Sequence, residues 1–69
     1  MQRTPVQSSN IASIGYDKES QTLEIEFHNG RVYQYFDVPH GQHSALMSAG
    51  SHGSYFSNNI KGYYRYARV

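Results

Sequence analysis

Apolar and polar residues alternate most cleanly over Thr22 to Phe27, where Leu23, Ile25 and Phe27 are separated by Glu24 and Glu26. That period of two is the mark of a strand with one buried face. His28-Asn29-Gly30 follows, and Asn-Gly is a strong short-range hairpin signal. Arg31 to Val38 then reads as the return strand, carrying Val32, Tyr33, Tyr35 and Phe36. Two registers compete. A two-residue turn pairs Phe27 with Val32 and puts Val32 and Phe36 on the apolar face. A three-residue loop with Gly30 left-handed pairs Phe27 with Arg31, so that Ile25 faces Tyr33 and Leu23 faces Tyr35. A slip of one residue exchanges the two faces, and either set can be buried.

Upstream, Ile11 to Tyr16 predicts another strand, although Ile11, Ile14 and Tyr16 keep no single period. The polar run Asp17 to Gln21 suits a turn. Downstream, Pro39 ends the return strand and suits the first turn of a helix. Gly41 to Ala49 forms a helix candidate on Ala45, Leu46 and Ala49, with Gly50 as its stop. Ser51 or Ser54 can cap a second helix that places Phe56 and Ile60 on one face, and Gly62 should break it. Residues 63–69 alternate aromatic and basic side chains and fit an extended segment, a last strand or a frayed end. The predicted centre of the core is Leu23, Ile25, Phe27, Leu46, Phe56 and Ile60.

The order implies an α+β domain: a three-stranded antiparallel β-meander followed by two short helices packed on one sheet face. Sixty-nine residues make one domain with a thin core, since a chain of this size buries only about 60% of its unfolded surface. Residues 1–8 read as a flexible polar lead-in, and 9–69 as the domain. Cysteine is absent, so neither disulfides nor thiolate–metal sites staple it. No apolar run marks a signal peptide or a membrane span, and a cytoplasmic location is the expectation.

Charge changes this picture more through placement than through its net value of +1. Residues 1–37 hold three bases against five acids, a balance of −2, whereas residues 38–69 hold Lys61, Arg65 and Arg68 and no acid, a balance of +3. The basic segment also contains Tyr63, Tyr64 and Tyr66. Aromatic rings beside cations are how many modules stack and hold single-stranded nucleic acid. The competing reading has the tyrosines as core and the charges as a solvated surface.

Other chemistry finds little support. His40 and His43 are three apart, with His28 and His52 elsewhere. Zinc wants three or four converging ligands, and no cysteine or downstream carboxylate supplies them, so no metal or cofactor is expected. The chain has neither a nucleophile-elbow pattern nor a phosphate-binding loop, so no catalytic residue is assigned. Glu24 and Glu26 share a strand face and read as solvated.

Several segments together resemble the KTSC domain. They are Ser8-Ser9-Asn10-Ile11, Gly15-Tyr16-Asp17, Leu23-Glu24-Ile25-Glu26-Phe27, Tyr33-Gln34-Tyr35 with Val38-Pro39, and Ala49 to Phe56 with Ile60-Lys61 and Tyr63. The resemblance covers nearly the whole chain from about Ser8. It implies a domain found at the C-terminus of some lysyl-tRNA synthetases and as short stand-alone bacterial proteins. The central Tyr-x-Tyr marker falls on Tyr33 and Tyr35, for which a structural role is expected. The resemblance implies no catalytic residues, and its synthetase context points to RNA.

The resulting expectation is a small non-enzymatic module that binds RNA weakly through Arg31, Lys61, Tyr63, Tyr64, Arg65, Tyr66 and Arg68. The alternative is a protein-interaction or assembly domain that uses an open sheet edge or an apolar patch. Oligomeric state is left open, with a monomer the simpler expectation.

Overall fold

The hairpin at Asn29-Gly30 adopts the three-residue loop. The computed structural model describes residues 1–69 as β1 (Arg3–Pro5), β2 (Ile11–Asp17), β3 (Thr22–Phe27), β4 (Val32–Tyr35), α1 (His40–Ser48), α2 (His52–Asn59) and β5 (Tyr66–Arg68). Gly30 has φ of +89°, which only glycine adopts readily. The Phe27 N–H donates to the Arg31 carbonyl at 2.9 Å, and the Gly30 N–H donates to the Phe27 carbonyl at 2.9 Å. Ile25 therefore lies opposite Tyr33 and Leu23 opposite Tyr35, which puts the Tyr-x-Tyr pair on the apolar face.

The sheet has five strands, not three, in the order β1-β2-β3-β4-β5, every neighbour antiparallel. The two extra strands are the edges. Each is three residues long and exposed throughout, so neither has the apolar alternation by which a strand is recognised. Arg3–Pro5 pairs with β2, so the sheet begins inside the expected lead-in; Pro5 is tolerable there because an edge strand has an unpaired side. Tyr66–Arg68 pairs with β4, so the end of the chain is a last strand.

Ile11 and Ile14 share the buried face because of a β-bulge. Ile11 pairs with Phe27 and Ser13 with Glu26, leaving Ala12 as the extra residue. That insertion is why β2 shows no single period.

α1 and α2 cover one face of the sheet. Ser51 caps α2, its Oγ accepting the Ser54 N–H at 3.2 Å. Beyond α2, Gly62 at φ +86° turns the chain towards β5. α1 does not end on a left-handed Gly50; it stops at Ala49, which is extended and donates its N–H to the Leu46 carbonyl.

The buried core is Ile11, Ile14, Leu23, Ile25, Tyr35, Val38, Leu46, Phe56 and Ile60. Five of the six predicted centre residues are in it. Phe27 is the exception: it sits one register step from the hairpin loop and is only partly buried. Burying each aliphatic side chain contributes about 1.5–3 kcal/mol, which must offset the chain entropy of the whole domain.

The opposite face carries a polar network. Arg3 crosses β2 over Gly15 to reach Glu24, Nη1 to Oε2 at 2.8 Å. Gln34 Nε2 donates to the other Glu24 oxygen at 2.9 Å, and Ser13 Oγ donates to Glu26 Oε1 at 2.8 Å. Glu24 is consequently buried, not solvated as its strand position predicts.

Candidate nucleic-acid interface

The register assembles five aromatic rings on the helix side of the sheet. β3 contributes Phe27, β4 contributes Tyr33 and Tyr35, β5 places Tyr66 opposite Tyr35, and α2 contributes Phe56. Their contacts close a circuit. Centroid separations are 5.9 Å for Phe27–Tyr33, 5.9 Å for Tyr33–Tyr66, 5.8 Å for Tyr66–Tyr35, 5.4 Å for Tyr35–Phe56 and 5.6 Å for Phe56–Phe27. The pairs involving phenylalanine are edge-to-face, the arrangement favoured by the ring quadrupole.

These rings line an open groove of about 490 Å³ between the sheet and the end of α2. Tyr35 and Phe56 are each 5% exposed and form its floor, while Tyr66 is 62% exposed and forms a wall. Arg31, just past the hairpin loop, and Lys61, in the turn after α2, also line it, with Asn10 and Asn29. Neither cation makes an ion pair, and no carboxylate or imidazole lines the groove. The site therefore combines aromatic rings with two unpaired cations.

Tyr35 sits deepest. Burial, and then the neighbouring Tyr33 and Tyr66 phenols, push its pKa up to about 12. Its hydroxyl is thus a neutral donor at any physiological pH.

Of the residues expected from the sequence, Arg31, Lys61 and Tyr66 meet here with the Tyr33/Tyr35 marker. Arg68 lies opposite Tyr33 on the same side of β5 as Tyr66, beyond the groove wall. Tyr63, Tyr64 and Arg65 do not join them. Arg65 precedes Tyr66 and so faces the other way, where it pairs with Asp37 at 2.5 Å and lies 5.6 Å from the Phe36 ring centroid. Tyr64 packs partly against the core, and Tyr63 is exposed beside a shallow recess with Phe36. The basic C-terminal segment is thus split between two surfaces.

Asn10, Asn29, Phe27, Phe56, Ser57 and Gly62 complete the groove and were not assigned to a site from the sequence. Asn29 carried a signal as half of the Asn-Gly turn. Its Oδ1 accepts the Arg31 N–H at 2.9 Å and orders the loop from which Arg31 projects. Asn10 carried one only as part of Ser8-Ser9-Asn10-Ile11. It also borders an all-polar cleft with Ser8, Ser51 and Gly53. A Cβ on Gly53 would stand 2.7 Å from Asn10 Oδ1, so that glycine makes room for the asparagine.

The histidines are spread out. His43 stacks on Tyr16 at 4.7 Å with rings 7° apart, His40 lies 6.2 Å from His43, His52 Nδ1 meets the Leu46 carbonyl, and His28 Nε2 meets the Ser8 carbonyl. No three His, Asp or Glu side chains form a cluster able to hold a metal ion.

A family model described as the KTSC domain matches residues 7–66. The chain is similar to a KTSC domain protein from Yersinia pestis of known crystal structure, with 46% identity, TM-score 0.94, and coverage of 99% of this chain and 96% of that one. It is 44% identical over 70 residues to an uncharacterized protein of Stutzerimonas stutzeri, covering all of this chain and 99% of the relative. It is also 38% identical over 63 residues to a lysine–tRNA ligase of Nostoc punctiforme, covering 91% of this chain but only 11% of the ligase.

Proposed function

The chain belongs to the KTSC domain family, and on that premise we propose that it is a small non-catalytic module that holds single-stranded RNA weakly in its aromatic groove. The observation that carries this reading is that two unpaired cations, Arg31 and Lys61, line one groove with the exposed Tyr66. Phosphates attract the former and unstacked bases the latter. Three relatives support it by name, the lysine–tRNA ligases of Nostoc punctiforme, a second Nostoc and Trichormus variabilis. The absence of histidine and carboxylate from the groove lining supports a binding role over catalysis.

Arg31, Lys61 and Arg68 are the phosphate contacts in this reading; Arg65, already paired with Asp37, is not. Three contacts predict a slope of log affinity against log salt of about −2 for a single strand. So few contacts give weak binding, useful chiefly when the module is tethered near a larger RNA binder. The test is titration of ¹⁵N-labelled protein with a short single-stranded RNA at two salt concentrations. Shifts at Arg31, Lys61 and Tyr66 that fade with salt, and vanish in the Arg31→Ala/Lys61→Ala/Arg68→Ala variant, are expected. No shifts at low salt, or shifts confined to the Glu24/Glu26 face, overturn it. Binding insensitive to salt favours apolar docking of a protein partner instead.

A further inference from the structure

We propose that the groove seats a single nucleotide of that strand, with its base against Tyr66 and Tyr33 and its phosphate between Arg31 and Lys61. This rests on the RNA reading and narrows it from a charged surface to one subsite. The first argument is size. At about 490 Å³ the groove falls in the range of roughly 300–1,000 Å³ typical of sites that enclose one small ligand. A duplex offers its bases only stacked, and a longer strand must enter one unstacked residue at a time.

The second argument is shape. The floor is closed by buried Tyr35 and Phe56, so the rings a ligand meets are the exposed Tyr66 and the partly exposed Tyr33 and Phe27, with Phe27 edge-on to Tyr33. The Tyr66 and Tyr33 rings are inclined by 45° and 5.9 Å apart. That leaves one face each for a flat ring lying along β5, not two parallel walls for a run of stacked bases.

The third argument is polarity. The charged groups of the groove are donors only, and Ser57 and the tyrosine hydroxyls beside them can donate as well as accept. Arg31 and Lys61 accept nothing. The Asn29 Oδ1 is already occupied by the Arg31 N–H, and the Asn10 Oδ1 by the Ser8 and Ser9 hydroxyls, which leaves their amide N–H₂ groups without a protein partner. A flat, anionic ligand rich in acceptors matches the two cations, the free amide N–H₂ groups and the rings together. A cation fails this test in spite of the aromatic walls, because Arg31 and Lys61 repel it. A neutral apolar side chain fails it because both cations would lose water without gaining a partner.

The experiment titrates the protein with uridine and adenosine 5′-monophosphates, ribose 5-phosphate, inorganic phosphate, a short single-stranded RNA and an RNA duplex, following amide and tyrosine ring shifts by NMR. The nucleotides and the single strand should move the same resonances of Arg31, Lys61 and Tyr66. They should bind roughly 5- to 150-fold more tightly than ribose 5-phosphate, the factor that stacking one base supplies. Tyr66→Ala should bring the nucleotides down to the level of ribose 5-phosphate, and Tyr66→Phe should restore the difference. Equal binding of ribose 5-phosphate and nucleotide, or nucleotide binding unaffected by Tyr66→Ala, overturns the subsite. Binding of the single strand with no nucleotide binding overturns the subsite but leaves the RNA reading standing, whereas binding of the duplex alone overturns both. Silence with every probe removes both.

Discussion

Phe56→Ala should come close to unfolding the domain at room temperature. Phe56 is 5% exposed and joins α2 to the sheet through edge-to-face contacts with Phe27 at 5.6 Å and Tyr35 at 5.4 Å. Truncating a buried phenylalanine costs about 3–5 kcal/mol, part from lost transfer energy and part from the cavity left behind. A core this small rarely supplies more than about 3–5 kcal/mol in total. The substitution therefore competes with the entire stability. Phe56→Leu separates the two contributions: it keeps most of the apolar volume but loses both ring pairs, worth about 0.5–1.5 kcal/mol each. In a domain of this length each kcal/mol lowers the melting temperature by about 4–8 °C. Thermal melts followed by far-UV circular dichroism should show Phe56→Leu destabilised but cooperative, and Phe56→Ala without a native baseline. A Phe56→Ala protein that melts within about 2 °C of the parent would refute the reasoning, because a side chain so placed cannot be removed at no cost.

Gly15→Val should detach β1: a Cβ there would lie 2.8 Å from the Gln2 carbonyl oxygen and 2.9 Å from Arg3 Cγ, and amide exchange at Arg3 and Thr4 should accelerate while β3 stays protected. His43 has its pKa lowered, first by burial and then by the neighbouring His40. The folded state thus resists protonation, so stability should be full above about pH 6.5 and decline as pH falls through the lowered value. Urea titrations at several pH values should show that slope, and His43→Phe, which keeps a ring on Tyr16, should flatten it. Tyr35 is shifted the opposite way, from 10.0 to about 12, so its contribution should be intact below pH 10 and lost as pH climbs toward 12. Burial, and then Asp17, also raise the pKa of Tyr16, so phenolate absorbance should show late ionisation of both, and the Tyr35 part should be missing in Tyr35→Phe.

The parts of the fold legible in the sequence were those whose residues repeat with the element's own period. Thr22–Phe27 alternates, and the register of its partner followed once a core role was assumed for Tyr33 and Tyr35. Ser51 caps α2 as capping chemistry predicts, whereas the helix ends at Asn59, before Gly62 turns the chain. The edges were not legible, because Arg3–Pro5 and Tyr66–Arg68 bury no alternating face and are held by backbone pairing. Ala12 hid the period of β2 by adding one residue to it. Glu24 looked solvated because its partner Arg3 lies far upstream in a segment with no pattern. At the candidate site, composition found the basic and aromatic residues but not their grouping. Strand alternation sends Tyr66 and Arg65 to opposite faces, and Arg31 joins Lys61 only through the hairpin register.

One wall of the groove is also the part of the domain most easily lost. β2, β3 and β4 are joined by tight local turns, whereas β5 is reached only after both helices, and Tyr66 must find Tyr35 across that whole insertion. Late, long-range closures of this kind lag behind local hairpins during folding. A three-residue edge strand with every residue exposed also opens at a lower free energy than the core it borders. Because Tyr66 belongs to β5, the groove is complete only in the fraction of molecules with that strand docked, and apparent affinity falls by the same fraction. Occupancy and docking are then one equilibrium. A bound ligand should register first as slowed hydrogen exchange at Tyr66, Ala67 and Arg68, ahead of any change in the melting of the core.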